Sequence, residues 1–281
     1  MVYAIDTVGR RKYTLEFKDL KTGEHLADEI PDVTGNTAWF NDGRTLYYTK
    51  QDPQTLRWFQ VWRHVLGADP SDDVLIYQED DDTFNVSVSK TRSDRFILIQ
   101  SDHTLTTECR YVDADDPTAE PIVFAPRERG VEYHVSHRGD RFLIRTNLDA
   151  VNFRLMDAPV SDPARRNWRE IVPHREDVLL RGVAVFRDHV VLTERKDGLT
   201  QLVVIDGGSG SKHTVEFDET AFVVWVDDNR EFDSETLRLG YSSLTTPRSI
   251  FDYDMNTHDR ELMKRNEVLG GYDPENYVSE R

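Results

Sequence analysis

Thr37-Ala38-Trp39-Phe40-Asn41-Asp42-Gly43-Arg44-Thr45-Leu46-Tyr47-Tyr48 is the stretch whose reading decides the fold. Two short apolar runs flank Asn41-Asp42-Gly43, three residues that tolerate positive φ and close a tight hairpin. Downstream, Phe59-Gln60-Val61-Trp62-Arg63-His64-Val65 alternates with period two and predicts a third strand. Asp73-Val74-Leu75-Ile76-Tyr77 predicts a fourth, on the outer edge. The apolar strand that follows the turn recurs along the chain as Val2-Tyr3-Ala4-Ile5, Thr45 to Thr49, Phe96 to Ile99, Phe142 to Arg145, His189 to Leu192 and Leu237 to Tyr241, about 43–51 residues apart. Self-similarity at that period, carried by strands with almost no helical pattern, is the signature of a β-propeller. The predicted fold class is therefore all-β, a β-propeller of four-stranded antiparallel blades.

Four further units repeat the order. Phe84–Val88, Phe96–Ile99, Arg110–Val112 and Pro121–Phe124 make one blade, and Tyr133–Val135, Phe142–Ile144, Phe153–Leu155 and Trp168–Val172 the next. Val183–Phe186, Val190–Leu192, Leu202–Ile205 and Thr214–Phe217 follow, then Phe222–Trp225, Leu237–Leu239, Ser249–Tyr253 and Glu261–Met263. The first unit offers Val2–Ile5, Tyr13–Phe17 and His25–Ala27 with no inner strand ahead of them. The expectation is five complete blades plus one partial blade, in a chain that is a piece of a larger protein. Two open sheet edges are a liability unless something pairs with them. The tail from Tyr272 to Arg281 is a candidate to fill the missing inner strand, and a dimer through the open edges is the other solution.

Composition narrows the partners. Among 281 residues, 52 are Asp or Glu against 35 Lys or Arg, a formal net charge of −17. Nucleic acid and anionic membrane surfaces both call for a basic face, so neither is expected as a partner. The single cysteine, Cys109, has no partner for an internal disulfide and fits a reducing cytoplasm. No apolar run approaches the roughly 18–20 residues of a membrane span. Met1-Val2-Tyr3-Ala4 enters a strand directly and reads as no secretory leader.

Several motifs imitate chemistry without its context. Asp206-Gly207-Gly208-Ser209-Gly210-Ser211 resembles a nucleophile elbow, but G-x-S-x-G must sit between a strand and a helix, and here two strands flank it. His134 and His137 are three apart on a predicted strand and so point to opposite faces, which disfavours a shared metal. The remaining histidines read as surface or packing positions. Glu79-Asp80-Asp81-Asp82 lacks the alternate spacing and glycine turn of a calcium loop and reads as a solvated loop between blades. Asn85-Val86-Ser87 fits a glycosylation acceptor but lies in an inner strand. Trp39, Phe84, Tyr133 and Trp225 are expected to pack between blades rather than to line a channel. No motif calls for a cofactor or a metal, and no catalytic residue is assigned.

Val61-Trp62-Arg63-His64, the Phe84 to Ile99 stretch and above all Gly240-Tyr241-Ser242-Ser243-Leu244-Thr245-Thr246-Pro247 carry a resemblance. Together with Phe251 to Met255 and Glu267 to Asp273, they resemble oligopeptidase B of the prolyl oligopeptidase family of serine peptidases. The resemblance covers essentially the whole chain. It implies a seven-bladed propeller that caps an α/β-hydrolase peptidase domain, cleavage of short peptides after Arg or Lys by a Ser-His-Asp triad, and access limited to small substrates. Residues 1–281 would then be the propeller, incomplete at its start, with 266–281 as the tail leading towards a peptidase domain absent here. No triad position carries over. Arg11, in Gly9-Arg10-Arg11-Lys12-Tyr13, resembles the propeller arginine that reaches towards the peptidase domain at the interface between the two. The competing reading is a stand-alone propeller that serves as a protein-interaction module. Carboxylates such as Asp42, Asp140 or Asp188 at the channel mouth would concentrate basic peptides by electrostatic focusing.

Overall fold

The computed structural model describes residues 1–280, which fall into two compact units, Met1–His134 with Pro163–Arg166, and Val135–Asp162 with the chain from Asn167 onward. In the first unit β1 (Val2–Ile5), β2 (Tyr13–Lys18), β3 (His25–Trp39), β4 (Thr45–Gln51), β5 (Trp58–Val65) and β6 (Val74–Gln78) form one sheet in sequence order. β7 (Asn85–Lys90), β8 (Phe96–His103), β9 (Thr106–Asp113) and β10 (Ile122–Ala125) form the next. The boundary between the units falls within β11 (Tyr133–Arg138), which joins β12 (Arg141–Thr146), β13 (Arg154–Pro159) and β14 (Arg169–Val172). Two more four-stranded sheets follow: β15 (Val178–Val185), β16 (His189–Lys196), β17 (Leu199–Asp206), β18 (Lys212–Thr214), then β19 (Phe222–Val226), β20 (Thr236–Ser243), β21 (Ser249–Asp254), β22 (Arg260–Arg265). Neighbouring strands pair antiparallel, as β1 with β2, β12 with β13, β16 with β17 and β20 with β21.

Burial explains why these strands read so differently in sequence. The second strand of four of the five complete blades is apolar on both faces because both faces are covered: β4, β8, β12 and β16 are almost wholly buried, whereas β20 leaves Thr236 and Arg238 exposed. The fourth strands carry only one useful face or none, and β22 is exposed at every position. The core is therefore laminated. Tyr47, Val61, Val86, Ile97 and Val112 fill the layer between the first two sheets. In the second unit Leu155, Leu180, Val190 and Leu192 fill one layer and Val191, Val204, Val224, Leu237 and Tyr253 another. Each such side chain contributes about 1.5–3 kcal/mol of burial.

The sequence predicts two short strands, His25–Ala27 and Thr37–Phe40, where the structure has the single fifteen-residue β3. Its first half pairs with β2 and its second half with β4. The turn between the halves is built from Asp32 at φ 57° and Gly35 at φ 85°. A Cβ on Gly35 would stand 2.9 Å from the Ala4 Cβ, so the close approach and the left-handed backbone both select glycine. The six-stranded sheet is thus three strands of one blade running into four of the next. Leu15, Phe17, Ile30, Leu46 and Tyr48 pack between them. With the four four-stranded sheets, five complete blades and one partial blade stand among the described residues. Residues 272–280 do not fill the missing inner strand: this segment adds no strand to any sheet, and its regular structure is one 3-10 turn, Pro274–Asn276.

Candidate functional site

The β1–β2 hairpin presents Arg11. The Asp6 carboxylate accepts the backbone N–H groups of Val8 (3.1 Å), Gly9 (2.8 Å) and Arg11 (2.6 Å), which folds residues 6–11 into a tight loop. Burial raises the Asp6 pKa, but those backbone hydrogen bonds outweigh it and the net shift is downward. Arg11 has φ 58°, and its carbonyl accepts the Gln51 side-chain amide at 2.5 Å. Its backbone is clamped from two sides while its side chain is exposed and makes no ion pair among the described residues. Arg10 and Lys12 are exposed beside it, so a basic tip stands out of an acidic chain.

The turn carboxylates are also exposed, each in the hairpin between a first and a second strand. Asp42 and Asp94 lie in the first unit, Asp140 and Asp188 in the second. Asp42 has a structural duty as well, accepting from Arg44 N, Thr45 N and the Thr45 hydroxyl. Those bonds leave its charge in place.

Glu79 corrects the reading of the acidic run. Asp80, Asp81 and Asp82 are exposed, but Glu79 is buried at 4% exposure. It accepts from Arg127 Nη2 at 2.6 Å and the Tyr77 hydroxyl at 2.7 Å. Arg127 also reaches Glu108 and lies 4.2 Å over the Phe84 ring. Burial pushes the Glu79 carboxyl up, and the bonds from Arg127 and Tyr77 overcome this and leave it below its ordinary value. A run of four carboxylates gives no hint of which one turns inward, because the selecting partner lies far along the chain.

His64, by sequence an ordinary packing position, does more than fill space. It is fully buried, with Nδ1 2.7 Å from Asp73 and Nε2 3.1 Å from Asp28. Burial lowers its pKa, but the hydrogen bonds to Asp73 and Asp28 prevail and the net shift is upward. With both ring nitrogens committed to carboxylates, this imidazole holds strands together and is not disposed to act as a general base.

The Asp206–Ser211 segment lies in the setting its context predicts. Ser209 donates to Asp206 Oδ1 at 2.6 Å in the β17–β18 hairpin, a strand-to-strand turn. Along β11 burial alternates, with His134 and His137 on opposite faces. No group of three or more His, Cys, Asp or Glu suited to a metal is present among the described residues. Phe84 and Tyr133 are buried, and half-buried Trp39 packs edge-on to Phe17. One feature has no signal in sequence: His213 and His258 stack with centroids 3.7 Å apart beside Tyr253.

The family-like segment closes on an unheralded carboxylate. Glu219 accepts the hydroxyls of Thr246 (2.6 Å), Thr245 (2.7 Å), Tyr241 (3.0 Å) and Ser279 (3.0 Å). Burial raises its pKa, yet the hydroxyls of Ser243, Thr246, Thr245 and Tyr241 more than offset this and bring it down to about 2. The hydroxyl-rich Ser242-Ser243-Leu244-Thr245-Thr246 turn is the available clue in sequence, but it does not point to its acceptor.

Repeated four-stranded meanders laminated face to face define a β-propeller domain, a scaffold whose chemistry depends on what its loops and faces meet. Residues 1–266 match the prolyl oligopeptidase N-terminal β-propeller family, and the chain belongs to it. It is 42% identical over its whole length to dipeptidyl aminopeptidase BI of Pseudoxanthomonas mexicana and 33% identical to Protease 2 of Moraxella lacunata. These matches take up 39% and 40% of those proteins. Oligopeptidase B from Leishmania major superposes with TM-score 0.93 at 32% identity, over all of this chain and 41% of that one. Oligopeptidase B from Trypanosoma brucei, in a closed form with covalently bound antipain, superposes with TM-score 0.90 at 30% identity over 99% of this chain and 40% of that one. The resemblance to oligopeptidase B is borne out, and the chain spans about two fifths of the length of these relatives. No helix among the described residues is long and apolar enough to cross a membrane.

Proposed function

We propose that the chain is the substrate-gating propeller of an oligopeptidase B-like serine peptidase that cleaves short peptides after Arg or Lys in the cytoplasm. Residues 1–281 form one propeller domain, with 266–281 leading towards an α/β-hydrolase body that carries the Ser-His-Asp triad. The observation that carries this reading is coverage: the chain is similar throughout its length to peptidases of which it makes up two fifths. The chain by itself is expected to be inactive, since covalent catalysis needs nucleophile, base and oxyanion hole in one geometry. His64 and Ser209, both already bonded to carboxylates, are in keeping with that.

Arg11 is the interface residue in this scheme. Its clamped backbone and unpaired guanidinium suit a contact made to a second body rather than within the propeller. The exposed carboxylates at Asp42, Asp140 and Asp188 suit the gathering of basic peptides. The deciding measurement is the intact mass of the native gene product together with its hydrolysis of Arg- and Lys-peptides. A polypeptide about two and a half times this length, active only when whole and weakened by Arg11→Ala, supports the reading. A native product no longer than this chain sinks it and leaves a binding propeller.

A further inference from the structure

After β22 the chain runs on as a strap in which no described apolar side chain is buried, Val268 and Tyr272 being the most covered at 39% and 38% exposure. Leu269, Tyr277 and Val278 are 88%, 62% and 77% exposed, and Ser279 alone among the described residues from 266 to 280 is buried, at 7%. At its start the strap is tied by Asn266 N to the Arg248 carbonyl at 2.9 Å. Midway, the Tyr272 hydroxyl donates to the Thr245 carbonyl at 3.0 Å. The far end is held at Ser279: its hydroxyl donates to Glu219 at 3.0 Å, and its carbonyl accepts the Thr220 hydroxyl at 2.8 Å.

We infer that Glu219 and Thr220 form a releasable clasp that closes on Ser279 and seats the strap against the turn at residues 243–247. A buried apolar seam would make such docking permanent, whereas attachment through a few hydrogen bonds belongs to the low-stability end of local opening. Glu219 is suited to the task because it is already oriented. Thr245, Thr246 and Tyr241 fix the carboxylate whether or not Ser279 is present. Release costs the clasp its Ser279 bonds without dismantling the turn. Opening frees about a dozen residues, each able to span roughly 3.3–3.6 Å when extended. Where the strap is the passage from propeller to peptidase body, which rests on the function proposed above, the clasp limits how far the two can swing apart. Glu219 is then a positioning residue acting through Ser279.

Chymotrypsin reads the strap directly, because Tyr277 lies two residues from the clasp. Ser279→Ala should speed nicking after Tyr277 by roughly tenfold, the worth of one hydrogen bond to a charged group, with the thermal midpoint of the sheets unchanged. Glu219→Ala should do the same, and the double variant should be no faster than the quicker single one. Thr246→Val, on the same carboxylate but not on the strap, should leave nicking nearer to wild type than Ser279→Ala does. Wild-type nicking in Ser279→Ala overturns the clasp, and that variant still decides the matter if Glu219→Ala fails to fold. The readout needs no catalysis: a freed strap in a protein without peptidase activity sinks the functional reading alone, and an unmoved strap sinks the clasp alone.

Discussion

Gly240 has no side chain because the Trp225 indole occupies the place where one would stand: a Cβ there would lie 2.0 Å from the ring. Gly240→Ala should therefore cost about 1–3 kcal/mol, the usual penalty of overpacking, visible as a lower urea midpoint. Glu79 makes the complementary case. Arg127→Met leaves a carboxylate buried without its cation and should cost about 3–5 kcal/mol at neutral pH. Glu79 has a folded pKa below its ordinary value, so the stability that its ionised form contributes is present above its unfolded pKa and is lost as pH falls through the folded one. The gap between wild type and Arg127→Met should accordingly close in acid. Cys109 is 1% exposed and burial pushes its thiol pKa up, so thiol reagents should label it only as fast as the protein unfolds. Neither Gly240 nor Glu79 is legible in sequence for these roles, since each depends on a partner brought in by folding.

At the scale of the element, the strands are legible in sequence and their limits less so. The apolar second strands stand out because covered faces demand continuous apolar runs. Their polar extensions, such as residues 100–103 in β8 or 194–196 in β16, carry no such signal, and their side chains find partners outside the strand, as Ser101 does in Tyr77 and Glu194 in Arg175. β18 is Lys212–Thr214 rather than the expected Thr214–Phe217, because pairing with β17 runs Thr214 to Val203 and Lys212 to Ile205. In the six-stranded sheet Asp28 of β3 and His64 of β5 meet Asp73 ahead of β6, which also accepts the Tyr48 hydroxyl at 2.8 Å. His64 has a raised folded pKa, so its contribution is full below the unfolded value near 6.5 and is lost as pH rises through the folded value. Stability measured by urea denaturation should fall across that alkaline window. His64→Gln should be less stable at low pH and should show no such fall.

At the scale of the whole molecule, charge is the dominant property. A formal net charge of −17, with carboxylates on exposed first hairpins, should draw cationic peptides and repel anionic ones. On the function proposed above, kcat/KM of the whole protein for a short Arg-peptide should fall as salt rises from low to physiological ionic strength, because screening shortens the reach of the field. A rate constant indifferent to salt would remove these carboxylates from the account of substrate capture.

The blade order, the strand periodicity and the family likeness are all present in the sequence, because each is written in neighbouring residues: alternation within a strand, turn chemistry between strands, a repeat along the chain. What folding alone decides is which charges turn inward and what they meet. Glu79 with Arg127, His64 with Asp28 and Asp73, and Glu219 with Ser279 are brought together by the fold and not by any local pattern. Burying a charge is costly without a partner, and only the packed sheets bring the partners there.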